Sequence, residues 1–369
     1  MTLKVALVRG PMYDHLYGTF ERGEVEVVAE GDHPTLNRKA AALLAAGRRI
    51  DLLATHSKYA PSQARWLLPL DHLVDHAAVR ELAPRSVDLC RFRGQLLCVP
   101  RLIDVRVLWA RSDRITEAPD TWAALKARRI RFGFPGRESG LFGTFFELVN
   151  GAGGELFGPA GEPMLDTDVA EQAIALLCEL AALAPADLVD WHYDDVDQAL
   201  LDGRVDAAGA WPGAWGAISR SRDAGRLVPH PYPAGPTRRV SYAGCHAWAI
   251  PSTCQDTAAA LTLLGRLIGA DAQATDARGG NACAHIAAFT SVEPTNDTDR
   301  RRLEITRATI AESMITYPSL VRFPEIEDAG WASINAALCG KLTPRAAAAQ
   351  MQRIAERILS NPSPQEGHP

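Results

Sequence analysis

Two tryptophans four residues apart, Trp211 and Trp215, stand in the segment LDGRVDAAGAWPGAWG, residues 201–216. A turn at Asp202-Gly203-Arg204 leads into the small apolar run Val205–Ala210, which ends at Trp211. Pro212 then opens a new helix, because the N–H that proline lacks would be unpaired in a first helical turn anyway. Two indoles at the carboxyl end of a strand offer a stacking platform for a flat or ring-shaped ligand. Filling core is the ordinary alternative for large aromatics.

The other reactive residues do not assemble into a catalytic pattern. Arg9, Lys58, Arg101, Arg106 and Arg137 fall near expected strand ends or turns. Facing one cleft, they would suit an anionic or richly hydroxylated ligand; individually they read as surface charge. His72 and His76 have the i, i+4 spacing of two metal ligands, but Leu73 stands where H-E-x-x-H needs glutamate, so a solvated helix is expected. Cys245 and His246 are adjacent, and neighbours on a strand point to opposite faces, which disfavours a nucleophile–base pair. Asp194, Asp195 and Asp197 precede a helix and read as capping groups. G-x-S-x-G, G-x-G-x-x-G and G-x-x-x-x-G-K-[ST] are all absent. No catalytic residue, metal ligand or cofactor is therefore expected.

Alternating strands and helices must position these groups. Lys4–Val8 and Val25–Glu30 read as strands. A helix with Leu36, Ala40, Leu43 and Leu44 on one face then ends at Gly47, and Ile50–Ala54 closes a β-α-β unit. Leu96–Pro100, Val105–Ala110 and Ile130–Phe134 follow as strands, the last leading into a glycine-rich turn, GRESGLFG. Thr167–Leu183 has helical periodicity, as do Ala258–Ile268, Arg302–Ser313 and the segment that Thr343-Pro344 begins. Such alternation argues for an α/β protein with mainly parallel sheets.

The 369 residues exceed one ordinary core, so two domains are expected. Hydrophobic content of 47% with 22% charged residues fits a globular chain. A net charge of −5, with no basic run longer than three residues, gives no footprint for nucleic acid or a membrane surface. No segment has the length and apolarity of a membrane span. The opening MTLKVALVRG lacks a signal-peptide core, which suggests either a removed leader or a cytoplasmic protein. Seven scattered cysteines without CxxC form neither a disulfide framework nor a zinc site; a Cys90–Cys98 bridge stays open.

The order of segments resembles the extracellular solute-binding protein family 1, the sugar-type binding proteins of ABC importers. LLPLDHLVD, RGQLLCVPRLIDVRVLWARSD, SGLFGTFFELVNGAGGELF, ALLDGRVDAAGAWPGAW, SYAGCHAWAIP and FPEIEDAGWASINAALCGKLTPRAAAAQM carry the likeness through their number, order and spacing. The resemblance implies an α/β, two-lobed periplasmic-binding-protein-like fold (type II) with lobes joined by hinge segments. Residues 1–103 with 247–292 would form one lobe, and 104–246 with 293–360 the other, leaving 361–369 as a disordered tail. The chain would be a periplasmic or extracellular monomer that captures a small solute, most simply a carbohydrate, by hinge closure and delivers it to ABC permease subunits. Carried over residue by residue, the family's pocket falls on Tyr13, Asp14, His56, Lys58, Arg101, Asp104, Ser139, Phe142, Trp211, Trp215, His246 and Trp248. By strand alternation His246 and Trp248 would share a face. Arg101 stands where a neutral residue is common, and Asn281, Ala284 and His285 where a proline and an arginine are frequent. These departures motivate an anionic or aromatic solute as the alternative. An enzyme on the same scaffold is a further alternative that would need a cleft cysteine with a base beside it.

Overall fold

A computed structural model describes residues 2–10 and 13–361, so residues 362–369 of the expected tail lie outside the described residues. Asn361 is held, its carbonyl accepting from Arg322 Nη1 at 3.0 Å. The chain divides into two compact units: Met1–Asp104 with Gly244–Glu293, and Val105–Ala243 with Pro294–Pro369. Asp104, Gly244, Cys245 and His246 thus belong to the first unit.

The first unit is built on a five-stranded sheet in the order Val25–Gly31, Leu3–Val8, Leu52–His56, Gly244–Ala249, Val99–Asp104. The first three strands are parallel, and Gly244–Ala249 runs antiparallel to both of its neighbours. The crossover helix His33–Ala45 makes the parallel pairing. Asp32 caps it by accepting the Thr35 N–H, and Leu36, Ala40 and Leu44 form its buried stripe. Gly47, at φ +64°, turns the chain out of the helix, a conformation that glycine adopts without a Cβ penalty. Leu52–His56 is buried along its whole length, as expected of a strand covered on both faces.

The second unit carries a four-stranded sheet, Leu227–His230, Val107–Arg111, Ala207–Ala210, Phe132–Gly133, and a parallel pair, Ser241–Tyr242 with Met314–Ile315. GRESGLFG is not a turn. The helix Glu138–Gly151 begins inside it and is almost wholly buried. Its glycines serve close approach: a Cβ at Gly140 would lie 2.6 Å from Pro135 and 2.8 Å from the Tyr193 ring. The helices Asp168–Ala181, Phe323–Leu338 and Pro344–Ser360 complete this layer, the last two starting with a proline in the first turn. Thr121, Thr167 and Thr343 cap their helices as side-chain acceptors. The expected Arg302–Ser313 helix begins earlier, at Asp297 under an Asn296 cap, and ends in a π turn over Thr309–Ser313.

His72 and His76 do not share a helix, because Asp75 caps one that begins at His76. Asp195 accepts the His192 N–H at 2.7 Å, a capping role. The seven cysteines are free thiols. Among the described residues no helix is long and apolar enough to cross a membrane.

His230, at the end of its strand, accepts from Arg301 Nη2 at Nδ1 (3.1 Å). Burial, with Arg301 adding to it, pushes His230 down to about 4. The unfolded chain takes up this proton near pH 6.5 and the folded chain does not, so stability falls as pH drops from 6.5 to 4 and levels off below. The slope is at most about 1.4 kcal/mol per pH unit. Urea melts of the His230→Asn variant across this range are expected to give a flatter dependence of stability on pH than wild type, by no more than that amount. An unchanged slope would contradict the assignment.

Candidate functional site

In the first unit, the antiparallel register sets His246 opposite His56 at the carboxyl end of the Leu52–His56 strand. Asp104, the last residue of Val99–Asp104, pairs with Gly244. Its Oδ2 lies 2.5 Å from His246 Nε2 and 3.8 Å from His56 Nε2. Gly244 leaves room for the His56 ring, since a Cβ there would sit 2.1 Å from His56 Cε1. His56 Nδ1 accepts the Lys58 backbone N–H at 3.2 Å, so in neutral His56 the proton sits on Nε2 and faces Asp104.

Tyr13 enters from the loop after Leu3–Val8. Its ring stacks on His246 at 5.3 Å, and its hydroxyl meets His246 Nδ1 and, at 3.2 Å, His33 Nε2. His33 is the first residue of the crossover helix, and its Nε2 lies 3.1 Å from His246 Nδ1. Burial holds His33 and His56 well below the ordinary histidine range, with His246 and Lys58 adding to it, so both rings are neutral at physiological pH. Burial also pushes the Tyr13 phenol up, against the opposing charge of Arg101.

Arg101, 1% exposed, donates to Asp276 through Nε (2.9 Å) and Nη2 (2.5 Å), and its guanidinium lies 4.4 Å from the Tyr13 ring centroid. Its charge is thus committed to a buried carboxylate, and it acts as a support beneath Tyr13. Asp14 stands apart, exposed, accepting the Gly10 N–H at 3.2 Å. The Lys58 ammonium sits 5.1 Å from the Tyr59 ring centroid. Trp248 is wholly buried, contrary to the expectation that it lines a pocket. It shares the alternation of His246 but lies two residues, about 7 Å, further along the strand, already inside the core.

In the second unit Trp211 ends the strand Ala207–Ala210 and remains half-buried. Tyr193 and Tyr242 meet it edge-on, at 6.4 and 6.0 Å between centroids. The Arg106 guanidinium lies 4.7 Å from its centroid. Arg106 in turn is buried. Its Nη1 donates to Thr144 Oγ1 (2.8 Å) and lies 3.2 Å from Glu147 Oε2, while Glu147 accepts the Tyr242 N–H at 2.9 Å. Burial pushes Glu147 up to about 7, with Arg106 pulling against it.

Ser139 Oγ and Tyr193 Oη are 2.5 Å apart. Glu138, the first residue of its helix, has φ +56° and pairs with His192 Nε2 at 3.2 Å. A left-handed non-glycine residue stores strain of the kind that gathers at ligand sites. Phe142 and Trp215 do not join this group. Phe142 is fully buried among Phe145, Tyr317 and Phe323, one helical turn past Ser139 and on the inner face. Trp215 stacks on Trp109 at 5.9 Å and carries Arg302 over its ring, as core.

The structure thus brings Tyr13, His56, Asp104 and His246 together in one unit, and Trp211 and Ser139 around Tyr193 in the other. It places Arg106, one of the expected cleft cations, behind Trp211 and adds His33, Tyr193, Tyr242 and Glu138. His33 lies hidden in the sequence as a helix-entry residue beside Pro34, and Tyr193 as the start of an acidic helix.

A family model described as bacterial extracellular solute-binding protein matches residues 9–274. A probable amino-acid ABC transporter periplasmic-binding protein from Sinorhizobium fredii is 23% identical over 255 residues, covering 66% of this chain. The chain spans 58% of the length of that relative. Among solved structures, a maltose-bound MalE3 of T. maritima matches with TM-score 0.85 at 20% identity over 97% of this chain and 99% of its own. A solute-binding protein from Agrobacterium radiobacter in complex with ribitol matches with TM-score 0.86 at 18% identity, covering 97% and 98%. Another from Thermotoga lettingae, bound with alpha-D-tagatose, matches with TM-score 0.84 at 20% identity, covering 97% and 100%. The fold is therefore the two-lobed α/β periplasmic-binding-protein fold.

Proposed function

This chain belongs to the bacterial extracellular solute-binding protein family, and from that premise we propose that it is the substrate-binding protein of an ABC importer whose solute is a carbohydrate. The observation that carries the reading is the half-buried Trp211 face, edged by Tyr193 and Tyr242 and backed by Arg106. Such a surface stacks on the apolar face of a sugar ring, while neighbouring hydroxyls bond its rim. Ser139 and Tyr193 supply those hydroxyls. In the first unit, Tyr13, His56, Asp104 and His246 form a cluster of donors and acceptors of their own.

Arg101 and Arg106 are each committed to a buried carboxylate, Asp276 and Glu147, which favours a neutral polyhydroxylated solute over an anion. Solutes related to those of the matched structures, a maltodextrin, a pentitol or a ketohexose, are the first to try. The chain crosses between its units at residues 104–105, 243–244 and 293–294. We propose that these crossings are the hinges on which the units close over the solute, selecting the closed state that a permease recognises. The working form would be a periplasmic or extracellular monomer.

An amino-acid solute is the second reading, favoured by the Sinorhizobium fredii relative. A catalytic role lacks support: Cys245 is buried, with its thiol directed to the Ser86 carbonyl at 3.8 Å. A thermal-shift panel of neutral sugars, polyols, sugar acids and amino acids separates the readings. A true solute at 100 times its Kd stabilises by about 2.7 kcal/mol. Shifts by sugars or polyols alone are expected; shifts by amino acids alone would overturn the carbohydrate reading.

A further inference from the structure

We propose that Tyr13, His33 and His246 form a binding site for a divalent transition-metal ion, with Asp104 as the carboxylate that orients His246. The three donor atoms, Tyr13 Oη, His33 Nε2 and His246 Nδ1, meet at one point of the first unit. His33 Nε2 stands 3.2 Å from the phenol oxygen and 3.1 Å from His246 Nδ1, and the phenol oxygen touches His246 Nδ1. Donor atoms around a tetrahedral zinc at its usual bond lengths are about 3.3 Å apart; both separations from His33 Nε2 have that spacing, and the Tyr13 phenol would leave its hydrogen bond to His246 Nδ1 to admit the ion.

The tautomers agree with that role. His246 Nε2 donates to Asp104 Oδ2 at 2.5 Å, which leaves the lone pair of Nδ1 directed toward Tyr13 and His33. A ligating histidine whose other ring nitrogen donates to a carboxylate is the usual support of a protein zinc site. His56, with Nδ1 occupied by the Lys58 N–H, belongs to the outer layer and shares Asp104 at 3.8 Å. Nitrogen-rich ligation selects zinc, nickel or cobalt over magnesium or calcium. Tyr13 closes the triangle as a third corner, leaving a fourth position for water or for an oxygen of a bound solute.

The test uses the full chain, stripped of metal by chelation and kept free of sugar, so that it does not depend on what the protein carries. Zn²⁺ is titrated by calorimetry and Co²⁺ by visible absorption. A single one-equivalent step is expected, with a cobalt spectrum of nitrogen and oxygen ligation and no thiolate charge-transfer band. His33→Gln and His246→Gln should each weaken that step at least about tenfold, and Asp104→Asn by roughly 10–100-fold. A His72→Ala/His76→Ala double variant should leave it unchanged. Should His246→Gln fail to fold by circular dichroism, His33→Gln, at the half-buried start of its helix, decides. Absence of a one-equivalent step, a step indifferent to His33→Gln, or a thiolate band would each overturn the proposal.

Discussion

Replacing Trp211 with alanine is expected to weaken solute binding by about 30- to 160-fold while the protein stays folded. Truncating an aromatic anchor at a binding surface costs about 2–3 kcal/mol, which converts to that range. Trp211 is half-buried and lies at the end of its strand, so its loss removes little core. Trp211→Phe should retain much of the affinity, because a ring face remains. Trp215→Ala should behave in the opposite way: Trp215 stacks on Trp109 inside the core, and its truncation should lower the melting temperature more than it lowers affinity. Fluorescence or calorimetric titration beside thermal melts checks the contrast. Unchanged affinity in Trp211→Ala would remove the platform from the account.

The largest loss of stability is expected at Arg106. Arg106→Ala leaves Glu147, 0% exposed, without its cation. Removing one member of a buried pair costs about 3–5 kcal/mol, since the remaining charge keeps its desolvation penalty. Burial already holds Glu147 at about 7. Without Arg106 the folded protein should take a proton there at higher pH than wild type, so the deficit against wild type should shrink as pH falls towards 7 and level off below it, where Glu147 is protonated in both. An Arg106→Met/Glu147→Gln double variant should recover most of the loss, because no charge is then left buried. Urea denaturation at two pH values distinguishes these outcomes. A single variant as stable as wild type would show that the pair does not hold this part of the unit together.

Much of the architecture is legible in the residues. Thr167 and Thr343 announce helix starts, Gly47 announces an end, and apolar spacing marks the stripes between. GRESGLFG misleads for a physical reason. Its glycines suggest a turn, but Gly140 sits inside a helix where Pro135 and Tyr193 press against it, a tertiary requirement that no local pattern carries. The site is partly legible for a related reason. Strand and helix periodicity tell which face a side chain takes, and the strand limits put His56 and Trp211 at strand ends and His246 within a strand. Periodicity does not tell depth, so Phe142, Trp215 and Trp248 share the phase of pocket residues while lying in the core. His33 and Tyr193 reach their clusters through strand register and helix packing, contacts between segments far apart in the chain.

The most direct test of the central claim is calorimetric titration of the purified chain with neutral sugars and polyols, followed by recovery of the solute. One-to-one binding of at least one of them, with the solute returned chemically unchanged and the heat lost in Trp211→Ala, is the predicted result. Binding confined to acids or amino acids, or conversion of the solute, would contradict it.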